Sequence, residues 1–85
     1  MVTVEIYSSP FCGYCHAAKR LLSHKGISFQ ETNISREPHR RAEMMERSNG
    51  GRTVPQIFIN GDAIGGCDEL YALENAGKLD QLLAA

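Results

Sequence analysis

The chain has 85 residues, 42% of them apolar and 22% charged, which is the size and composition of one globular domain, 1–85, and excludes multidomain machinery. Nine Lys and Arg against ten Asp and Glu leave a formal net charge of −1, which argues against wrapping nucleic acid through a broadly positive surface. The charge is uneven: five Arg and three Glu fall between residues 36 and 52, whereas five acidic residues and one Lys follow residue 52, so a small anion could bind locally.

Val2, Val4 and Ile6 alternate with Thr3, Glu5 and Tyr7, a period of two that predicts a strand with one face turned to a core. Beyond Ser8-Ser9-Pro10-Phe11, the residues Cys15, Ala18, Leu21 and Leu22 recur at helical spacing, and Lys25-Gly26 supplies a basic last turn with a stop. A helix is therefore expected from Gly13 to Lys25. Ile27 and Phe29 alternate with Ser28 and Gln30, predicting a second strand that runs to Ile34, parallel to the first after the helical crossover. Ser35 is placed to cap a second helix, with Pro38 in its first turn, Ala42 and Met45 facing inward, and Asn49-Gly50-Gly51 ending it. Gln56–Ile59, the turn pair Asn60-Gly61 and the return Ala63-Ile64 predict a hairpin. Leu70 and Leu73 mark a helix from Asp68 that Ala76-Gly77 breaks, and Leu79, Leu82 and Leu83 mark a short terminal one. The order β-α-β-α-β-β-α predicts an α/β three-layer sandwich, with helices covering a four-stranded mixed sheet.

No apolar run approaches the roughly 18 residues needed to span a bilayer, and neither a basic leader nor an apolar signal segment precedes Glu5. A cytoplasmic protein without membrane association is expected. Three cysteines are too few for a disulfide-stapled secreted scaffold. Two of them, Cys12 and Cys15, are close while Cys67 is remote, so the first pair reads as a chemical unit in a reducing compartment.

Cys12-Gly13-Tyr14-Cys15 between a predicted strand and a predicted helix is the pattern of a thioredoxin-like redox centre, and the reason is electrostatic. A sulfur at the head of a helix faces unpaired N–H groups that favour the anion, which is the nucleophile. Taking a thiol from about 8.5 to about 5.5 requires roughly 4 kcal/mol, at about 1.36 per pKa unit. The macrodipole supplies at most about 2, so one or two N–H to sulfur bonds of about 1.5–3 kcal/mol each must supply more. The amides of Tyr14 and Cys15 are the expected donors. Cys15 follows one turn later on the stripe of Ala18 and Leu22, which predicts a buried, protonated thiol whose role is to resolve a disulfide formed at Cys12.

Other chemistries fit the same residues less well. Two buried small hydrophobes would not need a Gly-Tyr interior at a strand–helix junction. With His16 the motif matches c-type haem attachment, but that chemistry favours an exported, mainly helical protein. Structural zinc needs four ligands, and Cys67, His24 and His39 are scattered.

Three separated motifs, Cys12-Gly13-Tyr14-Cys15, Thr53-Val54-Pro55 and Gly65-Gly66-Cys67-Asp68, together with Val4–Tyr7 and Gln56–Ile59, strongly resemble the glutaredoxins. The likeness is to the compact bacterial-type dithiol members and covers essentially the whole chain. The resemblance implies a thioredoxin-like fold and a cis peptide bond before Pro55, with Val54 presenting its backbone to the cysteinyl part of glutathione; a proline opening a strand would otherwise simply be tolerated. It also implies that Thr53 and Gly66 belong to the glutathione-contacting set. The amides of Cys67 and Asp68 would take the γ-glutamyl carboxylate, Asp68 would accept from the ammonium, and Tyr14 would flank the ligand. Arg40 with Gln56 is expected on the glycyl carboxylate, with Arg41 and Arg52 as competitors. Simpler roles stand beside these: Asp68 capping its helix, Arg36, Arg40, Arg41 and Arg47 solvating a face, Cys67 structural, Met44 and Met45 filling core.

Three departures stand out. Gly13 replaces a common proline, Ser9 a common lysine and Glu69 a common second aspartate, and Ser9 removes a cation near Cys12. The resemblance implies a monomeric glutathione-dependent thiol–disulfide oxidoreductase acting on glutathionylated mixed disulfides and protein disulfides. The alternative, raised by Gly13, is a dimer that bridges a [2Fe-2S] cluster through Cys12 of each copy and bound glutathione.

Overall fold

The first strand, β1 (Val4–Ser8), is the axis of the molecule because helices cover both of its faces. The computed structural model describes residues 2–84; Met1 and Ala85, the ends of the expected 1–85 domain, lie outside the described residues. The chain continues through α1 (Gly13–His24), β2 (Gln30–Asn33), α2 (Arg40–Arg47), β3 (Gln56–Ile59), β4 (Asp62–Gly65), α3 (Cys67–Asn75) and α4 (Leu79–Leu83). The four strands lie in the order β2-β1-β3-β4. β1 runs parallel to β2 and antiparallel to β3, with Val4 opposite Ile59, and β4 returns antiparallel to β3. This is the expected mixed sheet. Asn60 and Gly61 take φ of 51° and 85°, the left-handed pair that a two-residue hairpin turn of this twist requires.

On one face Val4, Ile6, Ile57 and Ile59 pack with Ala18 and Leu22 of α1, Leu70 of α3 and Leu79 and Leu83 of α4. On the other, Tyr7 and Phe58 pack with Ile34 and Met44 of α2. The one-faced reading of β1 is therefore corrected. Tyr7 is as buried as its neighbours, because Met44 of α2 closes the side that alternation assigned to solvent.

β2 is shorter than expected. Ile27 and Phe29 precede it and pack on the core, and pairing with β1 starts at Gln30 and runs to Asn33, with the Ile34 amide donating to the Ser8 carbonyl at 2.9 Å. The entry to α2 also differs. Ser35 does not cap it; Asn33 Oδ1 accepts from the amides of Ser35 and Arg36 at 2.9 and 3.3 Å, and the helix begins at Arg40. Its buried residue is Met44, while Met45 is half-buried and Ala42 is exposed. Met45 packs at the edge of the same cluster as Met44, and beside them the inward side carries Arg40, Glu43 and Arg47, which with Met44 share one side of the helix by their spacing. Arg47 bonds both carboxylate oxygens of Glu5 at 2.9 and 3.0 Å and the Tyr7 hydroxyl at 2.9 Å. Its guanidinium lies 4.2 Å from the Phe58 ring centre, and the Tyr7 hydroxyl donates to Glu43. A cation stacked on an aromatic face and paired with a carboxylate loses little on partial burial, so charged residues complete a layer that apolar patterning cannot show. Among the described residues, no helix is long and apolar enough to cross a membrane.

Candidate active site

β1 and the short loop after it deliver Cys12 to the head of α1, where it is the N-cap with extended φ and ψ of −115° and 106°. The backbone N–H of Cys15 lies 3.1 Å from the Cys12 sulfur. Of the two amides expected there, Cys15's is the one bonded. The Cys12 thiol in turn lies 3.6 Å from the Val54 carbonyl. All three cysteines are free, Cys12 half-buried and the other two buried. Burial, followed by its contact with the Cys12 thiol, pushes the Cys15 thiol up to about 12. Burial and the neighbouring Asp68 carboxylate also raise Cys67. The two sulfurs of the motif are thus unlike: one is accessible and receives an amide, the other belongs to the buried stripe of α1 with Ala18 and Leu22.

The Val54–Pro55 peptide bond is cis. Beside it opens a cavity of about 420 Å³ lined by Tyr14, Thr53, Val54, Pro55, Gly66, Cys67, Asp68 and Glu69, within the roughly 300–1,000 Å³ range of small-ligand sites. The wall is tight at its glycines. A Cβ on Gly66 would stand 3.2 Å from the Pro55 carbonyl oxygen, and one on Gly65, whose φ is +113°, would stand 2.8 Å from Glu69 Cγ. Glu69 Oε1 accepts from the Gly66 amide at 2.6 Å. The first turn of α3, with Cys67 and Asp68 at its head, therefore borders the cavity, where N–H groups and the positive end of the dipole suit an anion.

Seven of the nine residues expected around glutathione line this cavity: Tyr14, Thr53, Val54, Pro55, Gly66, Cys67 and Asp68. Arg40 and Gln56 are not among the lining residues. The Arg40 guanidinium pairs with Glu43 at 2.8 Å, and Gln56 is buried with its side-chain amide donating to the Thr53 carbonyl at 2.9 Å. Of the competitors, Arg41 donates to the Arg52 carbonyl at 2.6 Å. Glu69 lines the cavity without having been expected there; its place three residues after the cap glycine is the spacing at which an acidic side chain reaches back to the cap amide.

A cysteine pair at a helix head, set against a cis-proline on a thioredoxin-like sheet, is the site of a thiol–disulfide oxidoreductase. Comparison with known proteins narrows the class. The glutaredoxin family model matches residues 4–64. The chain is 58% identical to glutaredoxin 3 of Escherichia coli K12 over 83 residues, 98% of this chain and 99% of that protein. It is 51% identical to a glutaredoxin of Pseudomonas aeruginosa over the full length of both. Among solved structures, a buckwheat glutaredoxin–glutathione complex superposes with a TM-score of 0.90 at 32% identity, over 98% of this chain and 77% of that one. The solution structure of a Brucella melitensis glutaredoxin gives 0.84 at 57% identity, over 98% and 89%. The chain belongs to the glutaredoxin family.

Proposed function

We propose that the chain is a glutathione-dependent reductase of glutathionylated mixed disulfides and protein disulfides, with Cys12 as nucleophile and Cys15 as resolving thiol. The observation that carries this reading is the asymmetry of the pair beside the cavity. Cys12 is accessible and takes the Cys15 amide at 3.1 Å, while the Cys15 sulfur is buried and held protonated. The buckwheat neighbour's complex with glutathione supports glutathione as the small thiol.

In the reaction the Cys12 thiolate attacks the glutathione sulfur of a mixed disulfide, the substrate thiolate leaves and takes a proton, and a Cys12–glutathione disulfide remains. A second glutathione thiolate attacks that glutathionyl sulfur, which releases glutathione disulfide and returns the Cys12 thiolate. With a protein disulfide, the Cys12 thiolate attacks one sulfur, the client's S–S bond breaks, its other sulfur leaves as a thiolate that takes a proton, and a Cys12–client mixed disulfide remains. Cys15 then loses its proton and attacks Cys12, the client thiolate leaves, and a Cys12–Cys15 disulfide forms for two glutathiones to reduce. The cavity would hold the glutathionyl group, with the Val54 backbone against its cysteinyl part and the Cys67 and Asp68 amides towards its γ-glutamyl carboxylate. For the glycyl carboxylate, Arg40 would have to leave Glu43 or Arg41 leave Arg52.

Turnover in a glutathione-coupled assay tests this. Cys12→Ser is expected to abolish activity on both substrate types, and Cys15→Ser to retain deglutathionylation while losing most protein-disulfide reduction. Equal loss in both variants sinks the division of labour. The bridged [2Fe-2S] dimer draws on the same observation, since each copy offers one thiol that is not buried. It also requires external thiols and a second copy. A cluster held through Cys12 would occupy the nucleophile, so the two uses exclude each other in one molecule. Anaerobic reconstitution with iron, sulfide and glutathione that leaves a colourless monomer sets the cluster aside.

A further inference from the structure

Four large apolar side chains are exposed among the described residues, and two of them, Phe11 and Tyr14, flank Cys12. They face different tasks. Tyr14 lines the cavity, whereas Phe11 does not, and its exposure is 101%. The backbone that carries Phe11 is tied on both sides. The His16 ring donates from Nε2 to the Pro10 carbonyl at 3.1 Å, and the His16 amide donates to the Cys12 carbonyl at 3.2 Å. Pro10 has its φ fixed by its own ring. A phenyl ring is thus presented to water next to the nucleophile by a loop pinned to the first turn of α1. Exposed apolar groups are common singly, but this one is carried by the residue immediately before the nucleophile, so it belongs to the surface that a macromolecular disulfide meets at Cys12.

We propose that Phe11 is a specificity-determining residue for protein substrates, and that it favours a disulfide-bearing segment with an apolar side chain next to its cysteine. The inference rests on the oxidoreductase reading and deepens it. Burial of the phenyl ring against a client side chain is available to a protein segment lying across the loop. A glutathionyl group in the cavity on the Tyr14 side gains nothing from it. The chemistry is that written above, with Cys12 attacking the client disulfide and the client thiolate leaving.

The test uses three probes: two disulfide-linked peptides identical except for Leu or Ser beside the cysteine, and the mixed disulfide of glutathione with 2-mercaptoethanol. For the unaltered chain, kcat/KM is expected to be about tenfold higher for the Leu peptide, the usual worth of one well-made apolar contact. Phe11→Ser is expected to bring the two peptides within about twofold of each other, and Phe11→Leu to keep most of the preference. All three proteins should reduce the glutathione–mercaptoethanol disulfide at rates within about twofold. A Leu-to-Ser ratio that Phe11→Ser leaves unchanged overturns the inference, and so does an equal loss on all three probes. Absence of turnover of every probe by the unaltered chain would instead remove the reaction itself, and this inference with it.

Discussion

The backbone amide of Cys15 meets the Cys12 sulfur at 3.1 Å while the side chain of the same residue is fully buried. One residue thus serves the nucleophile through its backbone and withholds its own thiol. Alkylation should report this directly. With iodoacetamide between pH 6 and 8, mass mapping is expected to show Cys12 modified while Cys15 and Cys67, both raised by burial, react only after denaturation. Modification of Cys15 at a rate comparable to Cys12 would contradict the assignment of roles.

The loop ahead of Val54 is held by side chains that the apolar pattern leaves unremarked. Ser48 Oγ accepts from the Gly51 amide at 2.9 Å, and Gln56 reaches back to the Thr53 carbonyl. A Cβ on Gly51 would stand 2.6 Å from Ser48 Oγ and 2.8 Å from Gln56 Nε2. Both atoms are already committed to hydrogen bonds, so neither can yield freely. Gly51→Ala is expected to destabilise by about 1–3 kcal/mol, lowering Tm by about 4 °C or more, and to reduce turnover because the Val54 carbonyl faces Cys12 across this loop. Gly13→Ala is the contrast. Nothing lies within 4 Å of an added Cβ there, and the substitution should be neutral or stabilise by up to about 1 kcal/mol. Calorimetry of the two variants checks both statements.

Much of this was legible in the sequence because several local signals agree. Asn60-Gly61 sets the hairpin, Gly26 and Gly77 end helices at positive φ, and the apolar stripe Cys15, Ala18, Leu22 turns α1 onto the sheet. The second helix was less legible. Its inward face is Met44, with Met45 half-buried against the same cluster, among Arg40, Glu43 and Arg47; the periodicity of apolar residues places Met45 rightly but turns Ala42 inward, where the structure exposes it. Partners such as Glu5 and Tyr7 lie some 40 residues away, and nothing in local spacing encodes that distance. Gln56 was missed for a different reason. Its amide is spent on the Thr53 carbonyl, a choice made by burial rather than by the motif around it.

Glu69 offers a test of how the cavity wall is built. Its carboxylate accepts from the Gly66 amide at 2.6 Å and packs over Gly65, at the head of α3 where Cys67 and Asp68 line the cavity. Glu69→Gln and Glu69→Ala remove the same charge, so their difference isolates the hydrogen bond. The contact also fixes the cavity wall at Gly66, so KM for glutathione is expected to be higher in the Ala variant than in the Gln variant, by at most the roughly fivefold that about 1 kcal/mol supports, with kcat similar. Equal KM values would show that the contact only caps the helix.

Stability should fall at both ends of the pH scale, for different groups. Lys19 and the Ser8 hydroxyl hold the Glu31 carboxyl below the usual carboxylate range, and Arg40 with Tyr7 does the same for Glu43. Between the folded and unfolded pKa values the unfolded chain binds more protons, so this contribution is present above about pH 4.3 and is lost as the pH falls through the folded values. Both carboxylates are partly exposed, so the acid limb should be shallow and should flatten in 1 M salt. At the other end, burial raises Cys15 to about 12 and raises Tyr7. There the unfolded groups ionise first, so stability is complete below about pH 8.5 and is lost as the pH rises towards the folded values. Urea midpoints from pH 3 to 11 check both limbs. Glu31→Gln should flatten the acid side and leave the alkaline side unchanged, and Cys15→Ser should do the reverse. A midpoint that Cys15→Ser leaves just as sensitive above pH 9 would show that the buried thiol does not resist ionisation as the structure requires.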